Sequence, residues 1–367
     1  MKVTSVYVLT LALLISVTFG DVGLPAALAD EAAPTAGHNG SFFLRSADGL
    51  NSLKLGGRVQ ARYTFESPDK GHDESFFNIP RARLFLSGNS LTEGLRYKFQ
   101  ADFGKGSVSL KDFYVEYDFH ATWLRIRVGQ FKMPFSRQQL NSSSRLGLVD
   151  RAPTDKAFNT GRDIGLMFLS DYRGAPLEYS LGLFNGEGTQ STPERFDPLL
   201  VLRLGYAYGG LKGYREGDLE GGGLRFGLGL NGMFDFSLDE GDDQDAAFRA
   251  GFDYMLKAHG FATSGAVYIE SEGASFDDIS DDDTSERQLG FHVQASYYLA
   301  DMFLPMVRYT SLMPEGDDNN KSEIAAGLGV MFFGHRLKWQ TDAAITLYEL
   351  DDADHDLVVR SQLQLVY

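Results

Sequence analysis

The sequence predicts an all-β protein: a transmembrane antiparallel β-barrel of about 16 strands with an inward-folded third external loop. Three observations predict this fold. Apolar and polar residues alternate along most of the chain, the candidate strands are about ten residues long, and the connections between them alternate between short and long. The chain has 41 Gly and no Cys, which suits many strands joined by turns and excludes a disulfide scaffold or a thiolate metal site.

The N-terminus has the pattern of a secretory signal peptide. Lys2 precedes an apolar run from Val3 to Phe19, and Ala27-Leu28-Ala29 forms a small-x-small cleavage site. A single N-terminal anchor helix is the alternative, but the apolar run is short, is interrupted by Ser and Thr, and is soon followed by an acidic residue. We predict a signal peptide over residues 1–29, a short N-terminal periplasmic segment over 30–51 and an outer-membrane β-barrel over 52–367.

The barrel strands are predicted from their period of two. In the segment Lys54–Glu66, small or apolar residues occupy the odd positions, and polar residues occupy most of the even ones. The later candidate strands lie near 163–170, 176–185, 198–208, 223–236, 246–257, 261–271, 287–299, 302–311, 323–333, 336–348 and 356–367. A soluble β-sandwich also alternates, but its strands average about five or six residues and would leave half of each segment unexplained.

The connections give a second signal. Short ones such as Ala258–Gly260 alternate with long ones, of which Ser136–Arg162 is the longest. Outer-membrane barrels show the same alternation between short periplasmic turns and longer external loops. The connection Gly209–Gly222 breaks the rule, because it is long where a periplasmic turn is expected. The terminal aromatic residue Tyr367 is typical of the C-terminal assembly signal of such barrels, with an ordinary last strand as the alternative.

Charge is divided unevenly along the chain, whose formal net charge is −16. From Lys54 to Arg162 there are 18 Lys and Arg against 11 Asp and Glu, whereas from Asp163 onward there are 14 against 35. The acidic excess lies largely in the predicted external loops, where plain solvated surface and divalent-cation binding to lipopolysaccharide both stay open. The basic residues of the first part lie on strands, opposite the apolar residues. Because the apolar face of a membrane barrel meets lipid, this pattern predicts a basic lumen.

A basic lumen has a definite consequence for solutes. Arg and Lys side chains in a narrow pore of low dielectric attract anions and repel cations, and the guanidinium group offers a planar fork to an oxyanion. We predict that the barrel wall and the long loop together supply the pore-lining, anion-binding residues. These residues are Arg58, Arg62, Arg81, Arg83, Arg96, Lys98, Arg125 and Arg127 from the strands, and Lys132, Arg137 and Arg145 from the loop. The alternative is that these charges only solvate a wet wall and pair with Asp102, Asp112 and Glu116.

Other motifs point to no further chemistry. Gly227–Gly232 matches a dinucleotide fingerprint as text, but it lies inside a predicted strand with no helix after it. The seven His show no metal-ligand spacing, so we predict no metal and no cofactor. A pI near 4.8 argues against nucleic acid as a partner. An outer-membrane lipase or protease is the rival class, with His72 and His292 as loose candidates, but we predict no catalytic residues and no enzyme.

Several short motifs resemble the phosphate-selective porin O and P family. They are Leu53-Lys54-Leu55-Gly56-Gly57-Arg58-Val59-Gln60, Arg81-Ala82-Arg83 with Gly88, Gly129-Gln130-Phe131-Lys132-Met133-Pro134-Phe135 and Leu183-Phe184-Asn185-Gly186. The resemblance extends from about Phe42 to Gly186. It implies a sixteen-stranded homotrimeric barrel in the bacterial outer membrane, in contact with lipid and lipopolysaccharide, through which small anionic solutes such as phosphate diffuse passively.

The resemblance also implies site residues. By position, Arg58, Arg81 and Arg96 match basic residues of the family's anion site, and Asp112 matches an acid near it. Phosphate-specific members carry lysines after the Gly-x-Phe motif, whereas this chain has Arg137-Gln138-Gln139-Leu140-Asn141-Ser142-Ser143-Ser144-Arg145. Two alternatives therefore stay open: a general, weakly selective porin for other small solutes, and a plugged structural or adhesive outer-membrane barrel.

Overall fold

The computed structural model describes residues 35–104, 106–119, 123–159, 161–170, 176–191, 198–235, 248–272, 286–314, 320–349 and 355–367. The signal peptide predicted over residues 1–29 and most of the Asp-rich predicted loops lie outside these ranges.

The described chain is almost entirely β-structure. Its strands are β1 (Ala36–His38), β2 (Phe42–Arg45), β3 (Ser52–Ser67), β4 (Glu74–Ser90), β5 (Thr92–Asp102), β6 (Ser109–Asp118), β7 (Arg125–Lys132), β8 (Arg162–Leu169), β9 (Leu177–Phe184), β10 (Leu199–Tyr208), β11 (Arg225–Asp235), β12 (Phe248–Ala258), β13 (Phe261–Glu272), β14 (Glu286–Tyr297), β15 (Phe303–Pro314), β16 (Lys321–Val330), β17 (Phe332–His335), β18 (Leu337–Tyr348) and β19 (His355–Val366). The helices are α1 (Arg137–Leu140), α2 (Pro153–Phe158) and the 3-10 turn Ser143–Arg145. In the ranges given above, no helix has the length and apolar character needed to cross a bilayer.

Sixteen of the strands close into a barrel. They are β3 to β16 in chain order, followed by β18 and β19, and each runs antiparallel to its neighbours. The barrel closes where β19 pairs with β3, from Leu357 opposite Ser67 to Val366 opposite Arg58. The predicted antiparallel barrel of about 16 strands is therefore confirmed. The hairpin of β1 and β2 was not predicted in full, and it continues the sheet along β3 beyond the end of β19.

The two faces of the barrel wall differ as the alternation predicts, and β6 illustrates this. Phe113 and Val115 are 59% and 51% exposed, so they point outward. Asp112 and Glu116, on the opposite face, are each 4% exposed and point into the lumen. An apolar outer band with polar residues inside is the arrangement of a barrel whose solvent is lipid.

Because neighbouring strands are antiparallel, the connections alternate between two ends of the barrel. We call the end that bears the chain terminus Tyr367 and tight connections such as His259–Gly260 the turn end. The opposite end, which bears the long segment 133–161, is the loop end. One long connection, residues 209–224 between β10 and β11, lies at the turn end. The irregular connection predicted from the sequence is thus present.

Apolar side chains of the described residues form two buried clusters. The larger one comprises Phe131, Met133, Phe135, Phe158, Met167, Leu169, Phe184, Leu199, Val201, Met233, Ala266 and Tyr268. The smaller one comprises Leu148, Met306, Ala325 and Ala344. Both clusters combine wall residues with residues of segment 133–161, so apolar burial holds that segment against the wall at two places.

Candidate functional site

Segment 133–161, which we call the pore segment, is fixed by aromatic contacts to one side of the wall. Phe135 and Phe158 are fully buried, and their ring centroids lie 5.8 and 5.3 Å from that of Tyr268 on β13. The Phe158 and Tyr268 rings are stacked with an interplanar angle of 22°. Fully burying an aromatic side chain stabilises the folded state by about 1.5–3 kcal/mol, so these rings hold both ends of the segment against the wall. We call the three rings of Phe135, Phe158 and Tyr268 the aromatic seat.

Ser136 connects this seat to the helices of the pore segment. Its φ of 68° is unusual for a residue other than glycine, and four contacts hold it there. Its hydroxyl accepts a hydrogen bond from the Tyr268 hydroxyl (2.7 Å) and donates one to Asp155 (3.0 Å), while its backbone N–H donates to Asn231 (3.2 Å) and its side chain caps α1. Burial raises the pKa of Asp155, although the Arg151 charge and the Ser136 hydroxyl oppose the rise.

A second anchor is a buried charge cluster on the same side of the lumen. Arg137 donates through Nε (2.9 Å) and its backbone N–H (3.2 Å) to the carboxylate of Asp253 on β12. Arg203 on β10 donates to the same carboxylate at 2.6 and 3.0 Å. Because a buried charge is tolerated only when it is paired and hydrogen-bonded, the cluster fixes the start of the pore segment firmly to the wall.

A third anchor lies across the lumen, at the closure of the barrel. Asp150 accepts a bidentate pair of hydrogen bonds from Arg62 on β3, at 2.8 and 2.9 Å. Arg360 on β19 and Arg81 on β4 lie 3.4 and 3.6 Å from the same carboxylate. Burial opposes ionisation of Asp150, but the hydrogen bonds and charge of Arg62, and then the charges of Arg360 and Arg81, hold its pKa well below the ordinary value.

Further hydrogen bonds tie the middle of the pore segment to β18. Lys338 donates to the Leu146 carbonyl (2.7 Å), Gln340 donates to the Gly147 carbonyl (2.5 Å), and the Val149 N–H donates to Asp342 (2.8 Å). The pore segment thus contacts inward-facing side chains of β3, β4, β12, β13, β18 and β19.

Two basic residues shape the segment from within. Lys132, the last residue of β7, donates to the carbonyls of Gln139 (2.5 Å) and Asn141 (2.8 Å) at the end of α1. Arg151 donates to the carbonyls of Gln138 and Asn141, both at 2.9 Å. Cations that donate hydrogen bonds to the free carbonyls at the C-terminal end of a helix stabilise it, because that end carries the negative pole of the helix dipole.

The anchored segment leaves a basic cavity of about 630 Å³ beside the wall of β4 to β9. Among the described residues, its lining includes eleven Lys and Arg residues and two acidic ones, Asp112 and Glu178. Further carboxylates that do not line the cavity pair with some of these cations, including Asp102, Glu116, Asp118, Asp150 and Asp155. The basic residues are Arg81, Arg83, Lys98, Arg125, Arg127, Lys132, Arg145, Arg151, Arg162, Lys212 and Arg215. Such an excess of one sign in a concave, partly desolvated space raises the local concentration of anions.

A second cavity of about 620 Å³ adjoins the first towards the turn end. The two cavities share Lys98, Tyr114, Arg125 and Arg127 as lining residues. The second cavity adds the basic residues Arg45, Lys54 and Arg96, with Glu93 and Glu116 as its acidic residues. Together the two cavities form a basic route along one side of the lumen, which we call the basic path.

Acidic side chains on β6 hold the charged groups of the Lys and Arg residues that line the basic path. Asp112 accepts from Lys98 and from Arg162, each at 2.7 Å. Glu116 accepts from Arg127 at 2.8 Å and lies 3.6 Å from Arg125. Asp118 accepts from Arg125 at 3.1 Å and pairs with Arg96 at 3.0 Å. These pairs orient the side chains, but three carboxylates shared among five cations leave positive charge in excess.

The predicted site residues divide into two groups. Seven of the eleven line the 630 Å³ cavity: Arg81, Arg83, Lys98, Arg125, Arg127, Lys132 and Arg145. Arg96 lines the adjoining cavity, where it pairs with Asp118 at 3.0 Å. Arg62 and Arg137 line neither cavity, because Asp150 and Asp253 hold their guanidinium groups as anchors. Arg58 is buried at 4% exposure and, among the described residues, hydrogen-bonds to Ser142 at 3.5 Å.

Six basic lining residues were not among the predicted ones: Arg151, Arg162, Lys212 and Arg215 in the 630 Å³ cavity, and Arg45 and Lys54 in the adjoining one. Arg151 and Arg162 lie within the long basic loop, so their position in the sequence was a usable signal. Lys212 and Arg215 lie in connection 209–224, and only its anomalous length marked it. His292, a loose candidate of the enzyme alternative, is buried with Nδ1 at 2.8 Å from Thr154 on α2, so it serves as a further contact of the pore segment.

The fold is that of a porin-type barrel. Solved structures with the same fold include an anion-selective porin from Comamonas acidovorans, with 13% identity, a TM-score of 0.60, and coverage of 86% of this chain and 100% of that one. The outer membrane channel DcaP of Acinetobacter baumannii has 12% identity and a TM-score of 0.58, covering 88% and 99%. The trimer form of OmpT of Vibrio cholerae has 11% identity and a TM-score of 0.58, covering 86% and 99%.

The family resemblance is confirmed over part of the chain. The model of the phosphate-selective porin O and P family matches residues 53–213, which include β3 to β10 and the pore segment. An uncharacterized protein of Aquifex aeolicus (strain VF5) is 23% identical over 270 residues. That match covers 66% of this chain and 64% of the relative, so it spans slightly less than two thirds of the relative's length.

Proposed function

We propose that this protein is an outer-membrane porin through which small anions diffuse passively along the basic path. The observation that carries the proposal is the cavity lining of eleven basic and two acidic residues. A fixed charge attracts a counter-ion with an energy that falls only as the inverse of the distance, so the charges of a lining act together on an ion inside it. Anions are therefore concentrated in the path, and cations are depleted from it.

The finer proposal is that phosphate and similar oxyanions are preferred among the anions. The match to the phosphate-selective family supports it, as does the predominance of Arg in the path. The guanidinium group presents paired donors to two oxygens of one oxyanion, whereas halide has no such geometry to match. No covalent step is required, because the solute only passes through.

The setting of this porin follows the same proposal. The outward apolar face faces lipid, the turn end faces the periplasm, and the loop end faces outward with lipopolysaccharide around it. Residues 1–29 act as the export signal, residues 30–51 lie on the periplasmic side and residues 52–367 form the barrel. We propose a homotrimer, supported by the fold shared with the trimer form of OmpT.

Recording from planar bilayers tests the proposal. In a tenfold gradient of KCl, the reversal potential is expected to indicate preference for chloride, and micromolar to millimolar phosphate is expected to reduce the chloride current in a saturable way. A reversal potential of cationic sign overturns the anion path. Chloride current without block by phosphate restricts the function to a general anion porin, and a barrel with no conductance is a plugged structural or adhesive one.

A further inference from the structure

The long connection at the turn end, residues 209–224, is folded into the barrel instead of spanning two strands from outside. We call it the inward turn. Its residues Leu211, Glu216 and Asp218 are buried, at 5%, 5% and 1% exposure. A connection that merely joined β10 to β11 across solvent would have no reason to bury two carboxylates. The inward turn therefore packs against a specific surface inside the barrel.

Glu216 joins the inward turn to the pore segment by three hydrogen bonds. Its carboxylate accepts from the Gln138 side chain (3.0 Å) and from the Gly147 backbone N–H (2.8 Å). Its own backbone N–H donates to the Arg145 carbonyl (3.2 Å). The two segments enter the barrel from opposite ends and meet at this residue. The position of each depends on the other.

Tyr214 and Asp218 fix the two flanks of the inward turn. The Tyr214 hydroxyl donates to Glu178 on β9, and the Tyr214 ring lies under the guanidinium groups of Arg137 (5.4 Å) and Arg203 (5.7 Å). Asp218 accepts from the Gly260 N–H at 3.0 Å and from Arg225. The turn is thus held to the wall on one side and to the neighbouring tight connection on the other.

Gly217 shows how closely the inward turn fits. Its φ is +71°, a conformation that side-chain-bearing residues rarely adopt, and a Cβ built there would lie 3.0 Å from the Leu304 side chain on β15. The turn therefore extends from its own strands across the barrel mouth to β15. A segment with this reach covers part of the opening at the turn end.

This arrangement leaves two basic side chains on the surface of the turn that faces the basic path. Lys212 and Arg215 are exposed and line the 630 Å³ cavity together with Arg145 of the pore segment. Arg215 has a carboxylate at 3.5 Å, that of Glu220, which is itself half exposed. An exposed pair of this kind contributes little, so most of the positive charge stays available to an ion.

We propose that the inward turn is a second constriction element, in which Lys212 and Arg215 set anion selectivity at the periplasmic exit and Glu216 positions them by locking the turn to the pore segment. The proposal rests on the proposed function, because it assigns the exit of the same path. It adds that selectivity is set from both ends of the barrel. The pore segment supplies one set of charges, and the inward turn supplies the other.

The absence of Cys from the chain permits a direct test. In the variant Lys212→Cys the introduced thiol is the only one, and a cationic or an anionic methanethiosulfonate reagent then restores or reverses the charge at that point in the assembled channel. The step from the cationic to the anionic adduct is a change of two charges, expected to lower the anion-to-cation permeability ratio about fivefold or more at 0.1 M salt. The reagents should act faster from the turn-end side. Arg336→Cys, at the same end but outside both cavity linings, is the matched control.

The outcomes are separable. A parent channel that prefers anions, with Lys212→Cys adducts that leave its reversal potential unchanged, overturns the inward turn as a selectivity element and leaves the proposed function intact. Equal shifts from Lys212→Cys and Arg336→Cys overturn it as well, since they indicate only a general surface charge. A parent channel without anion preference refutes the proposed function itself.

The positioning role of Glu216 has its own readout. In Glu216→Ala the Gly147 N–H and the Gln138 amide lose their acceptor, and single channels are expected to fluctuate among several conductance levels. Glu216→Gln keeps a side-chain acceptor of the same length and is expected to restore a single level. Steady, parent-like conductance in Glu216→Ala would refute the lock between the two segments.

Discussion

Arg145 allows the strength of the basic path to be tested at one position. It lies on the pore segment, its side chain is exposed, and it lines the main cavity. Its backbone carbonyl, which accepts from Glu216 and Asn141, is kept by any substitution. We propose the pair Arg145→Gln and Arg145→Glu, which change the charge of the lining by one and by two units and keep these two backbone contacts.

The expected effect follows from the size of the cavity. A volume of about 630 Å³ corresponds to a sphere of about 5 Å radius for the centres of small solutes, so a lining charge lies about 8 Å from an ion at the middle. In water-like dielectric this gives about 0.5 kcal/mol, and screening at 0.1 M salt reduces it to about half. Anion and cation are affected in opposite senses, so the permeability ratio is expected to fall about 2- to 6-fold in Arg145→Gln and about 5- to 30-fold in Arg145→Glu.

The assay is the reversal potential in a salt gradient, measured at 0.1 M and again at 1 M salt. At 1 M the Debye length is about 3 Å, so the effect should largely disappear. Lys321→Glu, at the loop end of β16 and outside both cavity linings, is the control and should change the ratio little. The reasoning fails if Arg145→Glu leaves the ratio unchanged at 0.1 M, or if Lys321→Glu changes it equally.

Two further predictions concern the anchors of the pore segment. Phe158→Ala removes a fully buried ring stacked on Tyr268 and is expected to cost about 3–5 kcal/mol in denaturant unfolding, whereas Phe333→Ala, at a 73% exposed ring, should cost far less; equal costs would contradict the aromatic seat. Asp150→Asn is expected to lower the free energy of unfolding by about 1–3 kcal/mol. The folded-state pKa of Asp150 is depressed, so the difference in free energy of unfolding between the variant and the parent should be constant above about pH 5. It should shrink only as the pH falls below the ordinary carboxyl pKa of about 4. A difference that vanished near pH 6 would contradict the ion pairing of Asp150.

The barrel wall was predictable because lipid imposes one rule on every strand. Each residue faces either lipid or the lumen, so the alternation of Phe113 and Val115 with Asp112 and Glu116 appears directly in the sequence. The strand from Phe261 to Glu272 was predicted to within one residue for the same reason. The β1–β2 hairpin was predicted only in part, as a possible short strand over Ser41–Arg45, and the short β17 was missed, because three or four residues are too few to show a period.

The interior was predictable only in part, because its contacts join distant parts of the chain. Arg62 and Arg137 alternate with apolar residues, or lie in the basic loop, as the lining residues do. They do not line the path because a carboxylate binds each of them. That carboxylate lies 88 positions further along the sequence for Arg62 and 116 for Arg137, and no local pattern reveals it. Lys212 and Arg215 lie in a short polar stretch rich in Gly, and their side of the barrel depends on the fold of the whole inward turn.

The closure of the barrel between β3 and β19 also has a consequence for how the chain folds. Gln60 donates to Gln364 across the closure at 2.6 Å, and these residues are 304 positions apart in sequence. Contacts of such separation carry a large loop-closure cost and form late. Asp150 of the pore segment contacts Arg62 on one side of the closure and Arg360 on the other. The pore segment therefore bridges the first and last barrel strands, so its ion pairs stabilise the closure of the wall as well as the position of the segment.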